Sequence, residues 1–239
     1  MSKPIPDARI AKYMPWARAV FDWFIFRTMR RDFSAVHLLG TLPKVPEGTR
    51  IIFVANHTSW WDAFFLFRIH RLLAPKQQLY TVMLAREFYQ TFWFRVIGML
   101  PITPASTSSI RQLLRRLVRL KNSPETSGFL CSFFPQGEIK PSFTRPLGFS
   151  DGLRGVAGAM APVVLLPIGI HIEPICERRP QAFLTLGKPI EHISGQLDVG
   201  RVEAELTQVL DALLNQLKAK GEHIFSAQSG EAMTHVSWL

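Results

Sequence analysis

The chain has 239 residues, 47% of them apolar, two cysteines and a formal net charge of +10. Such a length buries one self-supporting core without staples, and so few cysteines exclude a disulfide framework and fit a reducing cytosolic compartment. The charge is uneven: residues 1–150 carry 21 Lys and Arg against 8 Asp and Glu, and residues 151–239 carry 7 against 10. No helix-turn-helix, zinc-ligand or single-strand-binding pattern accompanies the basic half, so anionic lipid, an acidic protein and the phosphates of a small nucleotide are expected as partners and nucleic acid is not.

Tyr13 to Arg27 predicts an amphipathic helix rich in Trp and Phe, followed by Arg30-Arg31. Aromatic residues and cations favour the headgroup boundary of a bilayer, so the segment suits a helix lying in the interface; it equally suits a helix packed on the core. Arg18, Asp22 and Arg27 interrupt it, so it is not read as a cleavable signal. The expected organisation is a membrane-contact segment over residues 1–35, one domain over 36–225 and a tail over 226–239.

Ile51-Ile52-Phe53-Val54-Ala55 is short, uncharged and mostly β-branched or aromatic, the pattern of a strand buried on both faces of an α/β sheet. Asn56-His57-Thr58-Ser59-Trp60-Trp61-Asp62 follows at once. His57 therefore sits at the carboxyl end of a strand, where open α/β sheets bind ligands, and Thr58 or Ser59 can cap a helix beginning near Trp60. Residues five apart on a helix diverge by roughly 140°. His57 is thus expected in the loop, with Asp62 one turn into the helix reaching back to one ring nitrogen and leaving the other free to accept a proton. The same residues also fit a plain helix start, with His57 as cap and Asp62 against the helix dipole.

A strand is expected near Leu79–Leu84, a helix near Thr91–Gly98, and a proline-rich turn through Pro104. Phe88 to Ile97 is a second apolar stretch that suits docking or core packing. Ile110 to Lys121 predicts a basic amphipathic helix whose arginines form a solvated face or attract an acidic carrier or lipid. Gly128–Ser132 reads as another buried strand, and Phe133-Phe134-Pro135-Gln136-Gly137-Glu138-Ile139-Lys140 follows it. A strand ending in Pro-x-Gly turns tightly and exposes backbone N–H groups. With Lys140, Arg145 and Arg154 close behind, the turn suits an anionic group such as a phosphate, although an ordinary surface turn has the same composition.

Asp151 to Met160 suggests a short helix, and Val163 to Ile170 a strand containing Pro167. Pro162, Pro167 and several glycines divide the uncharged stretch 155–172, which argues against a membrane span. Ala182–Leu186 predicts a further strand, and Val199–Lys220 a closing helix capped at Gly221. The last ten or so residues are expected to be loosely ordered. His37, His70, His171, His192, His223 and His235 lack ligand spacing, so neither a metal nor any other cofactor is expected. Ser59 lacks the Gly-x-Ser-x-Gly setting of a nucleophile, and Cys131 and Cys176 read as small core residues.

In order and separation, three blocks together resemble the glycerolipid acyltransferase family, whose bacterial type member acylates 1-acylglycerol 3-phosphate. Asn56-His57 through Asp62 is similar to its NHxxxxD block, Phe134-Pro135-Gln136-Gly137 to its FPEG block, and Pro162 to Ile168 to its late proline-bearing strand. Two departures stand out: Gly98 to Pro104 lacks the arginine usual near the end of the second block, and Gln136 stands where glutamate is usual. The resemblance implies a single α/β domain with a mixed, mostly parallel central sheet flanked by helices. It implies transfer of an acyl group from a thioester on CoA or acyl carrier protein to a hydroxyl of a lysophospholipid or related acceptor, at the cytoplasmic face of a membrane. His57 and Asp62 would be catalytic. Asn56, Pro135, Gln136, Gly137, Glu138 and Lys140 would bind substrate, with Arg145 and Arg154 standing in for the missing arginine. A catalytically silent lipid-binding or scaffold protein of the same fold is the alternative.

Overall fold

The computed structural model describes residues 13–124, 126, 128–175 and 177–220, with the backbone of 236 and 237. The chain opens with α1 (Pro15–Asp32), β1 (Ala35–Leu39), β2 (Ile51–Ala55), α2 (Asp62–Leu73) and β3 (Gln78–Leu84). Next come α3 (Ala85–Gln90), a short 3-10 turn (Phe92–Arg95), β4 (Met99–Ile102), α4 (Thr107–Asn122) and β5 (Phe129–Phe133). α5 (Gly152–Met160), β6 (Val163–Glu173), β7 (Gln181–Leu186), β8 (Ile190–His192), α6 (Val199–Lys220) and β9 (Val236–Ser237) complete it.

The strands form one sheet in the order β4-β3-β5-β2-β6-β7-β1-β9, with β8 beside the start of β6. Strands β4, β3, β5, β2 and β6 are mutually parallel, and β7 reverses direction against β6. This is the mixed, mostly parallel sheet expected. The apolar run of β2 is explained by its central position. Ile51, Phe53 and Ala55 face a core shared with α1 and α2, while Ile52 and Val54 face a second core under α4 and α5. Each buried Phe or Ile contributes on the order of 1.5–3 kcal/mol.

α1 starts with Pro15 in its first turn, where a missing N–H costs nothing. Ala17, Phe21, Ile25 and Met29 recur every fourth residue and bury one stripe against α2. On the other side Trp16, Trp23 and Phe24 are 63%, 65% and 55% exposed. The helix thus packs on the core and presents aromatic residues outward at once. Its buried charge, Arg18, is held by Asp22 at 2.9 Å and lies over the Phe67 ring at 3.8 Å. No described helix is long and apolar enough to cross a membrane.

Several local expectations are corrected. Met99–Ile102 is a strand rather than part of a turn; Pro101 is tolerated because β4 is the sheet edge. The helix expected near Thr91–Gly98 is instead α3 followed by a 3-10 turn. β1 and β8 lie in stretches where no strand was expected. Val236 and Ser237 pair with Leu38 and His37, so part of the terminal stretch expected to be loose adds an edge strand. Gly221 and Cys176 lie outside the described residues, as does the rest of the expected tail.

Candidate active site

β2 ends at Ala55 and the chain leaves the sheet at its carboxyl edge. Asn56 makes that exit rigid: its amide nitrogen donates to the Ile170 carbonyl at 2.9 Å and its oxygen accepts from the Ile170 N–H at 2.7 Å. Both ends of a fully buried side chain are used to clamp β2 to β6. Both polar atoms of Asn56 are thus engaged with the Ile170 backbone.

His57 follows in the loop, with its side chain 24% exposed, and Asp62 is the wholly buried first residue of α2. Nδ1 of His57 donates to Oδ2 of Asp62 at 2.8 Å. A buried carboxylate accepts only, which fixes the proton on Nδ1 and leaves Nε2 as an acceptor with no hydrogen-bond partner among the described residues. Asp62 is itself surrounded by donors. Its Oδ2 accepts from the Ser59 N–H at 2.9 Å and from the Thr58 N–H, and its Oδ1 accepts from the hydroxyls of Ser59 and Thr58 at 2.8 and 3.1 Å. Thr58 and Ser59, expected to cap the helix, instead donate to Asp62; the cap position is Trp61, which makes no side-chain cap. The reason is that Asp62 opens the helix rather than lying a turn inside it, so the carboxylate collects the loop's own N–H groups.

The Pro-x-Gly turn packs directly against this loop. Phe134 stacks on the His57 ring with centroids 4.5 Å apart. Gln136 is buried and braces in two directions: its Oε1 accepts from the His57 N–H at 2.7 Å, and its Nε2 donates to the Leu147 carbonyl at 3.2 Å. A glutamate could accept the first bond but could not donate the second, which gives the departure at this position a physical meaning. Pro135 is buried, and Gly137 has a φ of 71°, a left-handed conformation that glycine adopts without strain. The Lys140 N–H donates to the His57 carbonyl at 2.8 Å, and its ammonium pairs with the exposed Glu138 at 2.9 Å.

Arg145 and Arg154 are engaged elsewhere. Arg145 binds Asp211 of α6 and the carbonyls of Ser142 and Thr144. Arg154 binds Asp151 at 2.7 Å and the Leu197 carbonyl at 3.3 Å. Their guanidinium groups brace the loop and α6, and neither is presented unpaired to an anion. Sequence reading also missed Ser142 and His171, both buried, whose Oγ and Nδ1 are 2.6 Å apart; Glu173 lies 3.4 Å from Nε2. Burial lowers the His171 pKa, with Glu173 opposing. This pair ties the loop after the turn to β6, next to the Asn56 clamp. Nothing in the spacing of Ser142 and His171 announces it.

Burial pushes the Cys131 thiol up to about 12, so it stays protonated and is a core residue rather than a nucleophile. Among the described residues no three His, Cys, Asp or Glu side chains are grouped to hold a metal ion. A groove between α1 and α2 is lined by Trp23 and Phe26 of α1 and by Phe64, Phe67, Arg68 and Arg71 of the helix that Asp62 begins.

A model of the acyltransferase family matches residues 36–176. The crystal structure of the 1-acyl-sn-glycerophosphate (LPA) acyltransferase PlsC from Thermotoga maritima is similar at a TM-score of 0.53 and 18% identity, over 82% of this chain and 81% of that one. No curated protein sequence matches. The likeness to PlsC is one of fold, and because the family model spans more than half of its residues, the chain belongs to the acyltransferase family.

Proposed function

We propose that the chain moves a fatty acyl group from an acyl thioester to a hydroxyl of a lysophospholipid or related lipid, with His57 as general base. The observation that carries this is the Nδ1–Oδ2 contact: Asp62 accepts the Nδ1–H bond of a partly exposed imidazole, which leaves Nε2 unprotonated as the base. In the reaction, the acceptor oxygen attacks the thioester carbonyl as Nε2 removes its proton. The new C–O bond forms, the C–S bond breaks, and the imidazolium returns the proton to the leaving thiolate. Asp62 stabilises the imidazolium between those steps. No covalent enzyme intermediate is required.

The exposed Trp16, Trp23 and Phe24 of α1, with Arg27, Arg30 and Arg31 following on the same helix, suit a peripheral seat on an anionic bilayer at its cytoplasmic face. Lys140, whose own N–H bonds the His57 carbonyl and whose ammonium is paired, among the described residues, only with the exposed Glu138, is the cation linked most directly to the His57 loop, and we assign it the anionic group of the acceptor. The test is thiol release from an acyl-CoA series, with lysophospholipid and glycolipid acceptors in vesicles, comparing wild type with His57→Ala. Acceptor-dependent release abolished by the substitution is expected. Release unchanged in His57→Ala would overturn the assignment, and no release with any acceptor from either CoA or carrier protein would favour a silent lipid-binding protein.

A further inference from the structure

We propose that the outer face of α4 is the docking surface for an acidic protein that carries the acyl group as a thioester, an inference that rests on the acyl-transfer reading above. α4 contains no Asp or Glu and places Arg111, Arg115 and Arg119 four residues apart. Residues at this spacing stack on one helix face, here over roughly 12 Å. All three are exposed, and none pairs with a carboxylate among the described residues. Leu113 and Leu117 occupy the opposite side and are buried in the core. Like charges at this spacing destabilise a helix, so the stripe weakens α4 unless something acidic covers it.

Two features favour a soluble acidic protein. The first is the side of the sheet. α4 covers Ile52 and Val54, whereas α1 and its exposed aromatic residues lie over the face of Ile51 and Phe53. A bilayer seated on α1 cannot also reach α4 through the sheet. The second is the site's reach. α4 begins just after β4, at the same carboxyl edge of the parallel strands from which β2 delivers His57, and β4 and β2 are three strand spacings apart, about 14 Å. A partner on α4 therefore holds a flexibly tethered thioester beside the site. A linear stripe on a convex helix matches an acidic protein surface by charge complementarity better than it matches the compact phosphates of one CoA.

The experiment measures binding of bacterial acyl carrier protein loaded with a palmitoyl thioester, together with kinetics on that donor and on palmitoyl-CoA. Wild type is compared with R111E/R115E/R119E and with the milder R111Q/R115Q/R119Q, each checked by thermal melting. The expected result is carrier affinity weakened at least about tenfold by charge reversal, less by glutamine, with a matching rise in KM for the carrier-bound donor. KM for palmitoyl-CoA stays at the wild-type value, and wild-type carrier affinity falls as salt is raised. Unchanged carrier affinity in well-folded variants would leave the stripe a solvated face and overturn the proposal. A parallel rise in KM for palmitoyl-CoA would reassign it to nucleotide phosphates, and lost binding to phosphatidylglycerol vesicles would reassign it to the membrane. If wild type uses neither donor, the acyl-transfer reading fails, while the binding comparison still decides the stripe.

Discussion

Asp62→Asn separates a catalytic His-Asp pair from a plain helix start. The carboxylate accepts from five donors: Nδ1 of His57, the N–H groups of Thr58 and Ser59, and the hydroxyls of the same two residues. An amide keeps one acceptor oxygen and turns an NH2 toward the remaining donors. Losing about two hydrogen bonds to a charged group, at roughly 1.5–3 kcal/mol each, costs about 3–6 kcal/mol, within the 5–15 kcal/mol typical of a domain. Because Nδ1 and both backbone N–H groups share Oδ2, an amide oxygen kept there leaves the NH2 facing the two hydroxyls and removes the charge that stabilises the imidazolium; an oxygen turned to the Oδ1 side sets the NH2 against Nδ1 and drives the proton to Nε2, where it blocks the base. Loss of a general base lowers turnover by about 10²–10⁴-fold. The assay pairs thiol release at saturating donor with a thermal melt of the same preparation. A variant that melts lower but turns over within about threefold of wild type, once corrected for folded fraction, would refute the reasoning and return Asp62 to the role of a dipole partner.

Three further outcomes follow from the same contacts. Asn56→Leu leaves the Ile170 N–H and carbonyl without their side-chain partner and should cost about 2–4 kcal/mol in urea unfolding, with no separate rise in acceptor KM; a selective KM effect would show that Asn56 touches substrate. Arg145→Ala should lower the melting temperature through loss of the Asp211 and backbone contacts and leave acceptor KM unchanged, against the role expected from its place after the turn. His70, buried with Nε2 donating to the Gln77 carbonyl at 2.8 Å, has its pKa lowered to about 4, chiefly by burial and then by Arg18. Its folded pKa lies below its unfolded one, near 6.5, so its contribution is full above pH 6.5 and is lost as pH falls toward 4. The loss reaches about 3 kcal/mol, and His70→Gln should flatten that part of a urea-midpoint-against-pH curve.

Much of the frame was legible because two-sided burial writes itself into composition. β2 and β5 sit inside the sheet and read as an unbroken apolar run and as one interrupted only by Ser132, and the helices between them show their period through leucine and phenylalanine spacing. The loop position of His57 followed from an angle: five residues cannot share a helix face, so one of the pair had to lie outside it. The elements that escaped are those whose identity depends on neighbours. Met99–Ile102 contains a proline and four residues, which by themselves describe a turn; only its pairing with β3 at the open edge makes it a strand.

The same distinction divides the site. His57 and Asp62 are close in sequence, and their geometry is local, so the string carries it. Gln136 acts through partners 79 and 11 residues away, and Ser142 and His171 lie 29 residues apart; spacings of that size carry no angular information. The glutamine shows what is lost. Read as a string, it is a departure that weakens a motif; read in place, its amide supplies both the acceptor for His57 and the donor for Leu147, a combination no carboxylate offers. If that is why it is there, Gln136→Glu should raise the acid sensitivity of turnover and loosen the 134–150 loop. Both are measurable, as a pH–rate profile and as faster amide exchange at Leu147 and its neighbours. A Gln136→Glu enzyme with the wild-type profile and exchange would mean that the bond to Leu147 is dispensable, and that the turn positions His57 through Phe134 and Lys140 alone.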